Sequence, residues 1–360
     1  MKTNLFFKFI IVAVLLATSL NVFADVFDSI KKKEYSFFFT VDGNDRLSID
    51  NRYGSIAISH WSKNEVAIRV EITAKASSDA KAQANLDRVN VEHKRSGNTV
   101  SATTVFKEQS WDGNGKNSIE VCYYVSMPSN LDFSLAQKYG RISLPERSGG
   151  KANIELKYGK ITAGSFAADL DLEAAYSEVN LGDLAKAAIE MRYCGTAIVG
   201  NAETLAVDAR YSNLKGGIFK RLDMDSHYGN LGVKEIGEAA LEFKYGNIDI
   251  EHLREGLSVA SLDYGNLTIK QLDASFKRIS VSPKYANVNI SISTKAAFRV
   301  QATGLKYGNV ALTGLNFVNN ADGKSDSERK ENVAYTVNGG GSALISFDSN
   351  GYSNLNIKAL

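Results

Sequence analysis

Residues 241–250 read LEFKYGNIDI and carry the pattern on which the chain is built. Leu241 and Phe243 alternate with Glu242 and Lys244. The chain then passes through Tyr245-Gly246-Asn247, and the alternation resumes with Ile248 and Ile250. Period two over four to five residues marks a half-buried strand. The stretch has close copies: ASLDYGNLTI at 260–269, GLKYGNVAL at 304–312 and IELKYGKITA at 154–163.

Tyrosines open a repeating unit at Tyr139, Tyr158, Tyr176, Tyr193, Tyr211, Tyr228, Tyr245, Tyr264, Tyr285 and Tyr307. The intervals are 19, 18, 17, 18, 17, 17, 19, 21 and 22 residues. Their mean of about 19 lies in the range of strand-based repeat architectures. Echoes stand at both ends, in NRYGSIAI with Tyr53 and NGYSNLNI with Tyr352. No helical spacing of apolar residues runs across 136–313. Each unit therefore reads as two short strands with a bend at the motif and a second turn between, as in AGSFAAD (163–169) and KEIGEA (234–239). One unit cannot bury its apolar face alone, whereas stacked units bury a continuous core and pair each strand above and below. The predicted fold is all-β: a parallel β-helix or β-solenoid of about 19 residues per coil, right-handed by the usual crossover rule. Ten such coils would span roughly 50 Å.

Two bend geometries fit the motif. In one, Tyr158 points inward with Leu156, and Gly159-Lys160 bends. In the other, Lys157-Tyr158 bends, so the tyrosine faces solvent and the next residue faces inward. That next residue is Gly, Gly, Ser, Cys, Ser, Gly, Gly, Gly, Ala, Gly along the array. It is always small and often not glycine, which speaks for restricted space rather than for a positive φ. The residue after it is Asn in the last six units: Asn213, Asn230, Asn247, Asn266, Asn287 and Asn309. Gly-Asn is better bend chemistry than Lys-Tyr, and stacked amides can form a ladder. The inward tyrosine is the expectation. Outward tyrosines would instead form an aromatic stripe beside cations (Lys138, Lys157, Arg192, Arg210, Lys244, Lys284, Lys306), suited to sugars or to a protein partner.

The flanks are less regular. Residues 35–41 and 46–50 read as strands, 64–76 as a long strand, and 98–107 and 118–127 as two more. SSDAKAQANLDRV, residues 77–89, is the helix candidate, with capping residues at its start. The section 25–135 would cap the array, since an open coil end is an unpaired strand edge. Residues 136–313 are the repeat. In 314–360 a polar loop precedes final coils and a cap. The first 24 residues read as a secretory signal peptide: Lys2 and Lys8, an apolar run at 9–16, and Ala24 at the cleavage point. No second apolar run in the mature chain is long enough to span a membrane.

Removing Lys2 and Lys8 from 42 basic residues leaves 40 against 40 acidic ones, a net charge of zero. No basic stripe of a nucleic-acid binder is present. Cys122 and Cys194 read first as small buried residues and second as a disulfide. His60, His93, His227 and His252 lack metal spacing, and no nucleophile elbow or phosphate loop occurs. DGNGKN (112–117) and the Asp42/Asp45 pair in DGNDRLSIDN (42–51) have a passing likeness to calcium loops, but polar turns are the plainer reading. Acids such as Glu155, Asp249 and Glu251 are interleaved with lysines, as on a solvated face. No catalytic, cofactor-binding or metal residues are assigned.

The NRYGSIAISHWSKNEVAIRVEI section, the serial YG-N-apolar units and the closing GYSNLNI together resemble the "putative adhesin" family of exported bacterial proteins. This is a domain of unknown function related to auto-transporter adhesin heads. The resemblance covers about 35–358 and implies an exported, non-enzymatic β-helical protein of the periplasm or cell surface, binding a surface ligand, glycan or envelope protein. A glycan-active β-helix enzyme and an envelope-stress or regulatory partner are the alternatives.

Overall fold

In the computed structural model, residues 29–107, 117–320, 331–349 and 352–360 are described. The signal segment, residues 112–116 of DGNGKN and residues 321–330 of the polar stretch lie outside them. The described chain is all-β, a large and mostly parallel sheet with one helix.

The repeats pair in parallel and in register. Arg46–Trp61 pairs with Asp132–Ser143, which pairs with Ala152–Ala163. The series continues through Leu184–Val199, Ala202–His227, Leu231–Lys244 and Ile248–Asp263. Each residue faces its equivalent one repeat away: Lys138 faces Lys157, Arg192 faces Arg210, and Ile248 faces Leu267. Sequence repeats thus become rungs, and like side chains form columns. Leu156, Met191, Phe243 and Leu262 share one buried column two residues before the tyrosines. Ile161, Val179, Leu214, Leu231, Ile248, Leu267 and Val288 form another, three residues after them. Burying a Leu or Ile side chain contributes roughly 1.5–3 kcal/mol, so these two columns supply much of the drive to stack.

The N-terminal section is antiparallel. Ser29–Thr40 pairs with Glu65–Ala76, and Glu65–Ala76 pairs with Ser118–Pro128, which lies parallel against the first rung. Residues 99–103 of the hairpin formed by Val89–Ser96 and Thr99–Phe106 cover the other part of that rung. The helix falls at Asp79–Asp87, within the predicted stretch. The Oγ of Ser78 accepts from the Lys81 N–H, and Ala82, Asn85 and Leu86 are buried.

The C-terminal rung does not follow sequence order. Leu344–Asp348 lies parallel between Arg278–Lys284 and Phe298–Thr303, and Asn354–Ala359 lies between Asn287–Ile292 and Asn309–Thr313. The last stretch of chain is therefore the penultimate rung. Val333–Val337 then pairs antiparallel with Phe298–Thr303 and covers its outer edge.

Candidate functional site: an exposed tyrosine ribbon

The structure overturns the inward tyrosine. Tyr139 through Tyr307, and Tyr352, are 39–52% exposed. At the bend, the residue two before the tyrosine points in, and the residue before it and the tyrosine itself both point out. The small residue after the tyrosine points in again: Ser177, Cys194, Ser212, Ala286 and Ser353 are all buried. The device is backbone conformation. Tyr53, Tyr139, Tyr158, Tyr176, Tyr193, Tyr211, Tyr228, Tyr245, Tyr264 and Tyr285 all have φ between 52° and 61°. This left-handed region costs a non-glycine residue about 1–2 kcal/mol. One residue in that conformation shifts the alternation by one and turns the corner.

Three interactions hold the corner. The tyrosine amide continues the ladder: the Tyr228 N–H donates to the Lys244 carbonyl at 2.9 Å, and the Tyr245 N–H to the Asp263 carbonyl at 2.8 Å. The small residue allows close approach. A Cβ on Gly246 would sit 1.8 Å from the Gly229 carbonyl oxygen. Where serine stands instead, its Oγ accepts the N–H of the residue one rung before, as in Ser177 with Gly159 (3.1 Å) and Ser212 with Cys194 (3.0 Å). Finally, the rings stack. From Tyr53 to Tyr285 and on through Tyr352 to Tyr307, neighbouring centroids lie 4.4–5.4 Å apart and planes differ by 2–15°. Phe106 closes the first end edge-on against Tyr53, with centroids 5.6 Å apart.

Twelve tyrosines thus form one unbroken ribbon. Because ring faces cover each other, what meets solvent is a row of ring edges and phenolic hydroxyls. Sugar rings cannot stack face to face on it except at its ends.

The amide ladder is present. The Asn230 side chain donates to Asn213 Oδ1 at 2.9 Å, and Asn247, Asn266, Asn287 and Asn354 continue the series at 2.9–3.3 Å. Each acceptor oxygen from Asn213 to Asn266 also takes the backbone N–H of the next Asn. From Asn213 onward the amides therefore line one side of the ribbon. Cations line the other, and along its middle each carries an acid: Glu190 with Arg192 (2.5 Å), Asp208 and Asp225 with Arg210, and Glu242 with Lys244 (3.8 Å). Two hydrogen bonds from Arg210, at 3.0 and 3.1 Å, hold the Asp225 carboxyl below its ordinary range.

The remaining candidates do not converge on chemistry. Asp45 is buried and accepts from Arg95 at 2.8 Å and from the Asp42 N–H at 2.9 Å, which makes an ion-paired turn. Glu155 pairs with Lys157 at 2.5 Å and Glu251 with Lys270 at 3.6 Å. His93 stacks on Phe37, 3.8 Å between centroids. His227 lies 3.6 Å from Asp225. Burial lowers the His60 pKa. His252 has Glu235 at one ring nitrogen (3.3 Å) and Asp273 at the other (3.8 Å), so the two acids do not face a common point. Among the described residues no group of three His, Cys, Asp or Glu side chains could hold a metal ion. Cys122 and Cys194 are free thiols, and Cys194 occupies a corner position with its Sγ 3.2 Å from the Ala174 carbonyl. A hollow of about 600 Å³ crosses the rungs five to six residues before the tyrosines, floored by Ala206, Ala240 and Ser258. No helix among the described residues is long and apolar enough to cross a membrane.

No protein-family model matches the sequence, and no curated protein matches it. Similar solved structures include a "putative adhesin" from Parabacteroides distasonis, 9% identical, with 89% of this chain and 97% of that one covered and a TM-score of 0.37. Another, from Parabacteroides merdae, is 10% identical, with 90% and 96% covered and a TM-score of 0.34. A "putative lipid binding protein" from Parabacteroides distasonis is 8% identical, with 89% and 96% covered and a TM-score of 0.28. The first two carry the description that the repeat motif resembles.

Proposed function

We propose that this is an exported, non-enzymatic β-solenoid that acts as an adhesin-like binding or structural module of the bacterial envelope, in the periplasm or on the cell surface. In this reading the chain winds as a parallel β-helix of about 19 residues per coil, right-handed as parallel crossovers are. In-register parallel pairing between successive repeats supports it.

The observation that carries the binding role is the ribbon. It offers a row of phenolic hydroxyls on rings whose centroids lie 4.4–5.4 Å apart, an amide ladder on one side and charges on the other. Such a surface fits an extended chain lying along the rungs, hydrogen-bonded to hydroxyls and amides rather than stacked on ring faces. Surface tyrosine is well suited to the task, because it couples large contact area with a polar tip.

Two experiments test this. Glycan and envelope-extract binding by the chain without residues 1–24 should weaken when Tyr211 and Tyr228 are both changed to serine, with the circular dichroism spectrum unchanged. Full binding by that double variant would leave the ribbon a purely structural device. Protease shaving of intact cells separates surface display from periplasmic residence.

A further inference from the structure

The first rungs of the ribbon differ in charge from its middle. Arg52 stands opposite Lys138, and Lys138 opposite Lys157. Across the tyrosines, Arg141 stands opposite Lys160. Five cations therefore surround Tyr53, Tyr139 and Tyr158. Like charges directly opposite on neighbouring strands are destabilising. Lys157 is neutralised by Glu155 and Lys160 by Glu178, at 2.5 and 2.8 Å. Arg52, Lys138 and Arg141 have no carboxylate within ion-pair distance among the described residues. Arg52 instead lies 4.7 Å from the centre of the Tyr53 ring, and Lys138 lies 5.3 Å from that of Tyr139. Across the tyrosines from them, Arg141 lines a hollow of about 500 Å³ with Ser143, Tyr158, Lys160 and Thr162.

We infer that this end of the ribbon is an anion site, and that its ligand is an acidic polysaccharide whose uronate carboxylates meet Arg52, Lys138 and Arg141. The inference rests on the ribbon reading above and names its ligand class. Guanidinium groups bind carboxylates in paired hydrogen bonds. The hydroxyl row continues in line beyond them, and past Glu178 and Gly195 the amide row joins it from Asn213 onward, as a hydroxyl-rich chain requires. The ring faces that an acyl chain would seek are covered by one another. Binding would relieve the unpaired repulsion of the apo surface, so these residues favour the bound state at some cost to the free fold.

The test is affinity electrophoresis and titration calorimetry of the chain without residues 1–24, with polygalacturonate as probe and neutral dextran as comparison. The triple variant Arg52→Gln/Lys138→Gln/Arg141→Gln should bind polygalacturonate at least about tenfold more weakly. The same charge removed elsewhere, in Lys186→Gln/Lys220→Gln/Lys270→Gln, should change binding by less than about twofold. Thermal melting of the first triple should stay level or rise, which separates lost binding from lost folding. Equal losses in both triples would mean diffuse charge attraction and would overturn the inference. So would an absence of polygalacturonate binding, or tighter binding of polyglutamate than of polygalacturonate. If polygalacturonate fails but another chain ligand is lost with the Tyr211/Tyr228 pair, the ribbon reading stands and the acidic class falls.

Discussion

Tyrosine is a poor residue for the left-handed region, yet ten tyrosines occupy it here. The cost is about 1–2 kcal/mol at each, and stacking against two neighbours returns about 0.5–1.5 kcal/mol per pair. This balance makes a sharp prediction at Tyr228. Tyr228→Ala keeps the backbone cost and loses both stacks, so it should destabilise by about 2 kcal/mol. Tyr228→Gly loses the same stacks but adopts the conformation freely, and should be about 1 kcal/mol more stable than the alanine variant. Urea denaturation of the two reads the difference; alanine above glycine would remove backbone strain from the account. A second residue-scale prediction concerns Asp225, whose pKa Arg210 lowers from 3.8. A carboxyl lowered in the fold contributes stability above its unfolded pKa and loses it as pH falls through the folded one. Asp225→Asn should therefore cost no more than about 0.5 kcal/mol at neutral pH, since the pair is open to solvent. The difference from wild type should vanish as pH drops below 3.8, in melting curves taken from pH 7 to pH 2.

At the scale of the element, the corner is a composite of a strained tyrosine, a small inward residue and an asparagine that carries the ladder past the bend. Asn247 accepts both the backbone N–H and the side-chain amide of Asn266. Asn247→Ala strands those two donors, while the Asn230 oxygen keeps the backbone N–H of residue 247, and should cost about 1 kcal/mol. Hydrogen exchange of the Asn266 amide should speed up while amides in the middle of the strands keep their protection; unchanged exchange would show that water replaces the bond without loss. The strand pattern around the corner was legible because burial alternates with period two. The Asn ladder was legible because identical residues recur at one offset. The direction of the tyrosine was not. The small residue at Ser177, Cys194, Ser212 and Ala286 was the available signal, and it pointed to the right geometry. Local turn propensity, which favours Gly-Asn over Lys-Tyr, pointed the other way. Ring stacking between rungs decided it, and stacking is an interaction no single repeat contains.

Across the whole molecule, the far end is closed by exchange of sequence order. Among the described residues, Phe298–Thr303 pairs only with Leu344–Asp348 and Val333–Val337, and Asn309–Thr313 only with Asn354–Ala359. Truncation after Asn320 removes every one of those partners. Limited proteolysis of that variant should cut between residues 293 and 320 and spare the rungs before 293. Resistance throughout would mean that the 298–313 rung redocks directly on 278–292, whose side-chain pattern it matches. The repeat, the parallel stacking of like residues and the buried columns were legible in the sequence, because each follows from the spacing of the tyrosines and the period-two alternation around them. Tertiary structure alone decided the outward ribbon, the clustering of Arg52 with Lys138 and Arg141, and the placing of the final rung as the penultimate one. Those depend on energies between residues far apart in the chain, where several registers satisfy the same local pattern and only contacts between rungs choose among them.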